Sequence, residues 1–180
     1  ISQYLVDHVK RFPVINEYRL FTRRIKDNLF IVILAPTPWS FEWMEAWFPG
    51  STWNPEGSKV EIEGDYEGYH GRTSYPEIGG CYYASRLAVS EYLYSIRRQA
   101  MAILWREIYE GFNIPIGVWF VRECLRRILK GSYVRFNSIE EVIAYLKEHE
   151  VTRVSVDLWV SKSRLVQYLL KQKCIVEYVG

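Results

Sequence analysis

Four carboxylates recur at every second position of the segment 59–67: Glu61, Glu63, Asp65 and Glu67. Side chains of a β-strand alternate between its faces, so a strand here stacks all four on one side. Such a stack repels itself unless cations, or basic residues such as Arg23 and Arg24, lie opposite. It can hold Mg²⁺ or Mn²⁺ for phosphodiester chemistry. Two-metal sites usually draw their acids from several elements, however. Confinement to one strand favours an exposed edge face, so neither a metal nor another cofactor is assigned. His70, with Arg72 and Tyr75 in a glycine-rich loop, has the chemistry of a general acid or phosphate contact, although a lone loop histidine is more often neither. Cys81, Cys124 and Cys174 are far apart and show no CxxC or Cys/His spacing, which argues against a zinc finger, and their odd count argues against a disulfide framework.

A second kind of chemistry is carried by basic and aromatic residues at helical spacing. In a helix over 81–99, Ala84, Ala88, Val89, Tyr92, Leu93 and Ile96 fall on one half of the wheel and face a core. Arg86, Ser90, Tyr94 and Arg97 follow one another on the polar side, with Tyr83 beside them and Arg98 near. A helix over 117–130 repeats the scheme. Val118, Val121, Leu125, Ile128 and Leu129 are its buried stripe, and Arg122, Arg126 and Lys130 stack outside. Arginine interleaved with tyrosine suits phosphate pairing plus base stacking. The candidate nucleic-acid contacts are therefore Tyr83, Arg86, Arg97, Arg98, Arg122 and Arg126, with a solvated or salt-bridged face as the plainer alternative. Gly79-Gly80 at the helix entrance offers backbone N–H groups to a phosphate, or simply a tight turn.

The sharpest local pattern lies in residues 172–180. Gln172, Ile175 and Tyr178 are spaced three apart, with Val179 following. That spacing sets Ile175 and Tyr178 on one side of a single 3₁₀ turn as a small apolar plug. The amide one turn earlier can bond into a neighbouring polar pocket.

The elements that must hold these groups read as interleaved strands and helices. β-prone runs at 18–25 and 29–35 are joined by a hairpin signal at 26–28. Ser40 is expected to cap a short helix reaching Trp47, in which Trp43 and Trp47 pack one turn apart. Further strands are expected at 59–67, 101–108, 133–136 and 154–160. Ser138 and Glu141 form a capping box for a helix to about 147. Ser161 is expected to cap a last helix over 162–171 with Leu165, Val166 and Leu169 inward. The fold class is α/β or α+β: a mixed sheet with long amphipathic helices, one globular domain over 1–171, and a flexible C-terminal tail over 172–180.

The whole-chain properties fit that reading. With 180 residues, 49% hydrophobic and 24% charged, the chain can build a real core and is neither disordered nor a membrane protein. Its longest apolar run, 29–36, is far too short to span a bilayer. Net charge is only +2, but residues 40–80 carry eight acids against two basic residues, and residues 86–130 carry eight basic residues against four acids. An acidic and a basic side are expected. The start at Ile1 suggests a piece of a longer protein, and a reducing cytoplasm suits the three cysteines.

The run GRTSYPEIGGCYYASRLAVSEYL (71–93) continuing into SIRRQAMAILWREI (95–108), together with APTPWSFEWMEAWFPGSTWN (35–54) and IPIGVWFVRE (114–123), resembles the archaeal Nre proteins. The likeness covers nearly the whole chain. It implies a role in the DNA-damage response and a C-terminal, PIP-box-like motif that binds a PCNA-type sliding clamp. Gln172, Ile175 and Tyr178 match that motif, while Val179 departs from the aromatic residue commoner there. The zinc-finger-like segment found near the N-terminus of many members has no counterpart here. The resemblance supplies no active site. A clamp-recruited DNA-repair factor is therefore the leading expectation, against a nuclease-like or nucleotide-acting enzyme and a pure adaptor.

Overall fold

The computed structural model describes residues 1–112 and 117–177, with side chains through residue 172. Within them β1 (Tyr18–Ile25), β2 (Asn28–Ala35), β3 (Ser40–Trp47), β4 (Glu61–Glu67), β5 (Met101–Ile108) and β6 (Val134–Phe136) form one sheet, in the order β4-β3-β5-β2-β1-β6. β3 runs parallel to β5, and the other neighbours are antiparallel. One face carries α1 (Ser2–Val9), α2 (Gly80–Ser95) and α3 (Val118–Leu129). The other carries α4 (Ile139–Glu148), α5 (Val156–Lys162) and α6 (Arg164–Glu177). The mixed sheet with long amphipathic helices is as expected.

The run NLFIVILA, apolar after Asn28, becomes β2, and MAILWREI, apolar but for Arg106 and Glu107, becomes β5, each buried along its entire length. A strand reads as continuously apolar when both faces of its sheet are covered. Phe30, Val32 and Leu34 meet α2 and α3, while Leu29, Ile31 and Ile33 meet α4 and α6. Val89 of α2 and Leu125 of α3 are fully buried, as the helical phasing requires. Val118 is not: it lies exposed at the first turn of α3, outside the expected stripe.

Two elements differ in kind from the sequence reading. Residues 40–47 form strand β3 instead of a short helix. A spacing of four puts Trp43 and Trp47 on one face of a helix or of a strand alike, so the pair does not discriminate. Backbone pairing with β4 and β5 decides it. Residues 154–160 were expected as a strand, yet 156–162 form α5. Val156 and Trp159, three apart and both buried, satisfy a helical period within the same short run.

Helix ends also moved. α2 stops at Ser95, short of 99, because Arg97 takes a left-handed backbone (φ 51°) and Arg98 N–H returns to Leu93 O at 3.1 Å. This is a Schellman ending with arginine in the place glycine usually marks. The cap of the last helix is Ser163, not Ser161: its Oγ accepts from Val166 N–H at 3.1 Å. α6 then continues past 171 to Glu177. The Ser138 cap on Glu141 N–H is present at 3.2 Å.

Glu42 of β3 seats the start of α6. It accepts from Ser163 Oγ, from Arg164 N–H at 2.7 Å and from Leu165 N–H at 3.3 Å. Burial raises its carboxyl from 4.5 to about 7, outweighing these donors, which pull it down. A folded-state value above the unfolded one means that stability is full below the unfolded value and declines as pH rises through the folded one. Between pH 4.5 and about 7, Glu42 is expected to lower the unfolding free energy by at most roughly 1.4 kcal/mol per pH unit. Glu42→Gln should remove that slope. Denaturant titrations of both proteins across the window measure it, and equal slopes would refute the assignment.

Candidate functional site

Strands β3 and β5 place two charges side by side in the core. Glu45 is register-paired with Arg106, whose Nη1 donates to Glu45 Oε1 at 3.0 Å and whose Nε donates to Asn28 Oδ1 at 2.8 Å. Each charged side chain is only 3% exposed. Rings of Phe30, Trp47, Phe112 and Phe120 surround the guanidinium at 5.5–5.8 Å. Burial of ions requires such pairing. Sequence reading passed over both residues. Their signal was charge inside strands otherwise largely apolar, Glu42 and Glu45 in β3 and Arg106 and Glu107 in β5.

This pair forms the floor of a cleft of about 580 Å³. β4 supplies Glu61 and Glu63, the latter directly across from Glu45. Thr52, Trp53 and Glu77 stand at the sides, and the first turn of α2 closes one end with Gly80 and Cys81. Gly79 turns the chain there with φ 78°, and a Cβ on Gly80 would meet Val118 Cγ1 at 2.5 Å. The glycine pair thus serves a sharp turn and close packing of α2 on the entrance of α3. Burial, then the Glu45 carboxylate, pushes the Cys81 thiol up to about 12. It is protonated at neutral pH and is not a thiolate nucleophile.

The four acids of β4 share the sheet face of Phe41, Trp43, Glu45 and Trp47 but have different surroundings. Glu67 is buried: it accepts from Arg86 Nε at 3.0 and 3.1 Å, Trp39 Nε1 at 3.1 Å and Tyr82 OH at 3.1 Å. Asp65 pairs with Arg72. Glu61 and Glu63 alone reach the cleft. Arg23 and Arg24 belong to β1, separated from β4 by β2, β5 and β3, so they do not lie opposite the acids. Among the described residues no three His, Cys, Asp or Glu side chains converge on a common metal position. His70 is exposed, with its ring 5.6 Å from Tyr69.

The predicted basic contacts separate. Arg86 is 4% exposed and fully engaged, with Nη1 on Ser2 Oγ at 2.7 Å and Nη2 on Gln3 Oε1 at 3.0 Å besides Glu67. It does not face solvent. Tyr83 is exposed, with Tyr75 5.6 Å away. Arg97 and Arg98 are exposed just beyond α2. Arg126 bridges α3 to α2 through Glu91 at 2.6 and 2.7 Å and also holds Glu123 at 2.7 Å, while Arg122 reaches Glu123 at 3.3 Å. In the C-terminal segment, Gln172 is exposed on α6 and donates to Tyr168 OH. The Ile175 side chain, Tyr178 and Val179 lie outside the described residues.

Comparison with known proteins matches residues 1–54 to the family described as Archaeal Nre, N-terminal, and residues 67–178 to Archaeal Nre, C-terminal. In this fold the two segments are not separate bodies, because β5 of the second lies between β2 and β3 of the first. The DNA repair protein NreB of Archaeoglobus fulgidus is 49% identical over 93% of this chain and 42% of its own length. The DNA repair protein NreA of Haloferax volcanii is 36% identical over 83% of this chain and 36% of its own. The DNA repair protein NreA of Archaeoglobus fulgidus is 32% identical over 79% and 36% respectively. The chain thus spans less than half the length of these curated relatives. No solved structure matches it. With family segments matched along most of its length, the chain belongs to the archaeal Nre family.

Proposed function

We propose that this chain acts in DNA repair, recruited to a PCNA-type sliding clamp by residues 172–180 while the folded body contacts DNA. The observation that carries the reading is where the body releases the last helix. Leu165, Val166 and Leu169 of α6 are buried, whereas Lys171 and Gln172 are exposed. Among the described side chains, Gln172, the first residue of the motif, thus stands exposed one turn beyond Leu169, the last buried one. The repair assignment draws on the relatives, each a DNA repair protein. Among the described residues no helix is long and apolar enough to cross a membrane. Removing residues 172–180 should abolish clamp binding and leave the unfolding midpoint of the body nearly unchanged, since the buried Leu165, Val166 and Leu169 of α6 are all retained. Calorimetry with purified clamp and a thermal melt test both halves. A truncated chain that still binds, or no longer folds, would overturn the reading.

The DNA-contacting part rests on Tyr83, Arg97, Arg98, Arg122 and Arg126. Arg97 and Arg98 make no ion pair among the described residues, so phosphate competes with no carboxylate there. Arg122 and Arg126 must share their guanidinium groups with Glu123 and Glu91. Arg97→Ala with Arg98→Ala is expected to flatten the salt dependence of DNA binding by about one ion-release unit per arginine. Arg126→Ala should have a smaller effect. Anisotropy titrations over a salt series measure the slopes. An unchanged slope in the double variant would remove the basic-face reading.

A further inference from the structure

We propose that the cleft between β3, β4 and the first turn of α2 binds a cationic, N-methylated purine base. The cleft's volume, about 580 Å³, falls in the range of small-molecule sites and far exceeds what a bare metal ion needs. Its walls then select by chemistry. Trp53 is 73% exposed at the mouth, edge-on to Trp47 with ring centroids 6.2 Å apart. An exposed tryptophan beside a cleft offers a flat surface for stacking an aromatic ring, and indole is the best of the side chains at holding a cation over its face.

Charge decides between ligands. Glu45 is balanced by Arg106, leaving Glu61, Glu63 and Glu77 with no basic partner among the described residues. Glu63 stands directly across from the neutralised Glu45 in the β3–β4 ladder and two residues from Glu61 on the same face, so the unbalanced charge at the cleft is negative. Phosphate is excluded by the same acids, so a nucleotide would enter by its base and leave its phosphate outside. The floor adds one donor. Arg106 spends Nε on Asn28 and Nη1 on Glu45, and Nη2 has no partner among the described residues. A ring nitrogen that accepts a hydrogen bond suits that atom. The ligand that meets all three demands is planar, positively charged and N–H-bearing on one edge, with an acceptor nitrogen on another. A purine methylated on a ring nitrogen has this pattern, and an unmodified neutral base lacks the charge.

This inference goes beyond clamp recruitment and needs neither the tail nor a DNA backbone, so the two can fail separately. The test uses two isomers: 1-methyladenosine, which is protonated and cationic at neutral pH, and N6-methyladenosine, which has the same heavy atoms and no charge. The 180-residue chain is titrated with each, followed by tryptophan fluorescence and calorimetry. The cationic isomer is expected to bind about tenfold or more tightly than the neutral one, and Trp53→Ala to weaken it by about tenfold. Glu61→Gln with Glu63→Gln, both on exposed positions, should abolish the preference between isomers. Equal affinity for the two isomers, no binding of either, or wild-type behaviour in both variants would each overturn the proposal.

Discussion

Arg86→Ala is expected to destabilise the fold by about 3–5 kcal/mol, the cost of leaving a buried charge without its partner. Arg86 and Glu67 are 4% and 3% exposed. Removing the guanidinium leaves Glu67 buried with only the Trp39 and Tyr82 donors. It also cuts the bonds to Ser2 and Gln3 that fasten α1 across α2. At roughly 2–4 °C of midpoint per kcal/mol for a chain of this size, the melt should fall by on the order of 10 °C. Replacing both charges, Arg86→Met with Glu67→Gln, should cost much less, because no orphaned charge remains and the amide oxygen still accepts from Trp39 and Tyr82. Calorimetry of the two variants decides between these outcomes. If Arg86→Ala cost no more than a surface arginine substitution, the Arg86–Glu67 pair would not be what joins α1 and α2 to β4.

Arg86 also shows what a helical wheel leaves out. The sequence places it on the polar side of α2, together with Ser90, Tyr94 and Arg97, and the wheel is right about the angle. The wheel sees one partner surface, whereas α2 has three. The sheet and α3 take its apolar side, and α1 lies over part of the polar side, burying Arg86 and Ser90 and bringing His8 and Phe12 to about 6 Å from the Tyr94 ring. Helix α1 itself was not read from the sequence. Its eight residues bury only Val6 and Val9, a signal too short to stand alone.

The sheet's centre was easier to read. β2 and β5 announce themselves by apolar runs that only a doubly covered strand tolerates. The Ser138–Glu141 cap was legible because its chemistry is local. The cleft was not, because its members come from β3, β4, β5 and the entrance of α2, and only the strand order joins them. Of its acids, the alternation in β4 predicted a shared face but not that Glu67 would be lost to Arg86 and Asp65 to Arg72. Partners distant in sequence decided which carboxylates remained free.

Ile175→Ala combined with Tyr178→Ala should abolish clamp binding while the body stays folded. Burial of a large apolar side chain contributes roughly 1.5–3 kcal/mol, so two truncations remove about two to four powers of ten in affinity. The starting affinity is expected to be about micromolar, since a segment that orders on its partner loses conformational entropy and Val179 lacks the surface of an aromatic ring. The double variant then falls below detection. A spacing of three keeps Ile175 and Tyr178 on the same side of an α-helical or a 3₁₀ turn alike, so the prediction holds for either backbone. Gln172 has a different role. Its amide is bonded to the Tyr168 hydroxyl and must exchange that partner for one on the clamp, a replacement that orients more than it stabilises. Gln172→Ala should accordingly weaken binding by less than tenfold, well short of the double variant's loss. Calorimetry with the purified clamp measures all three proteins. Binding retained by the Ile175 and Tyr178 variant, or lost as completely in Gln172→Ala, would show that the apolar plug is not what the clamp holds.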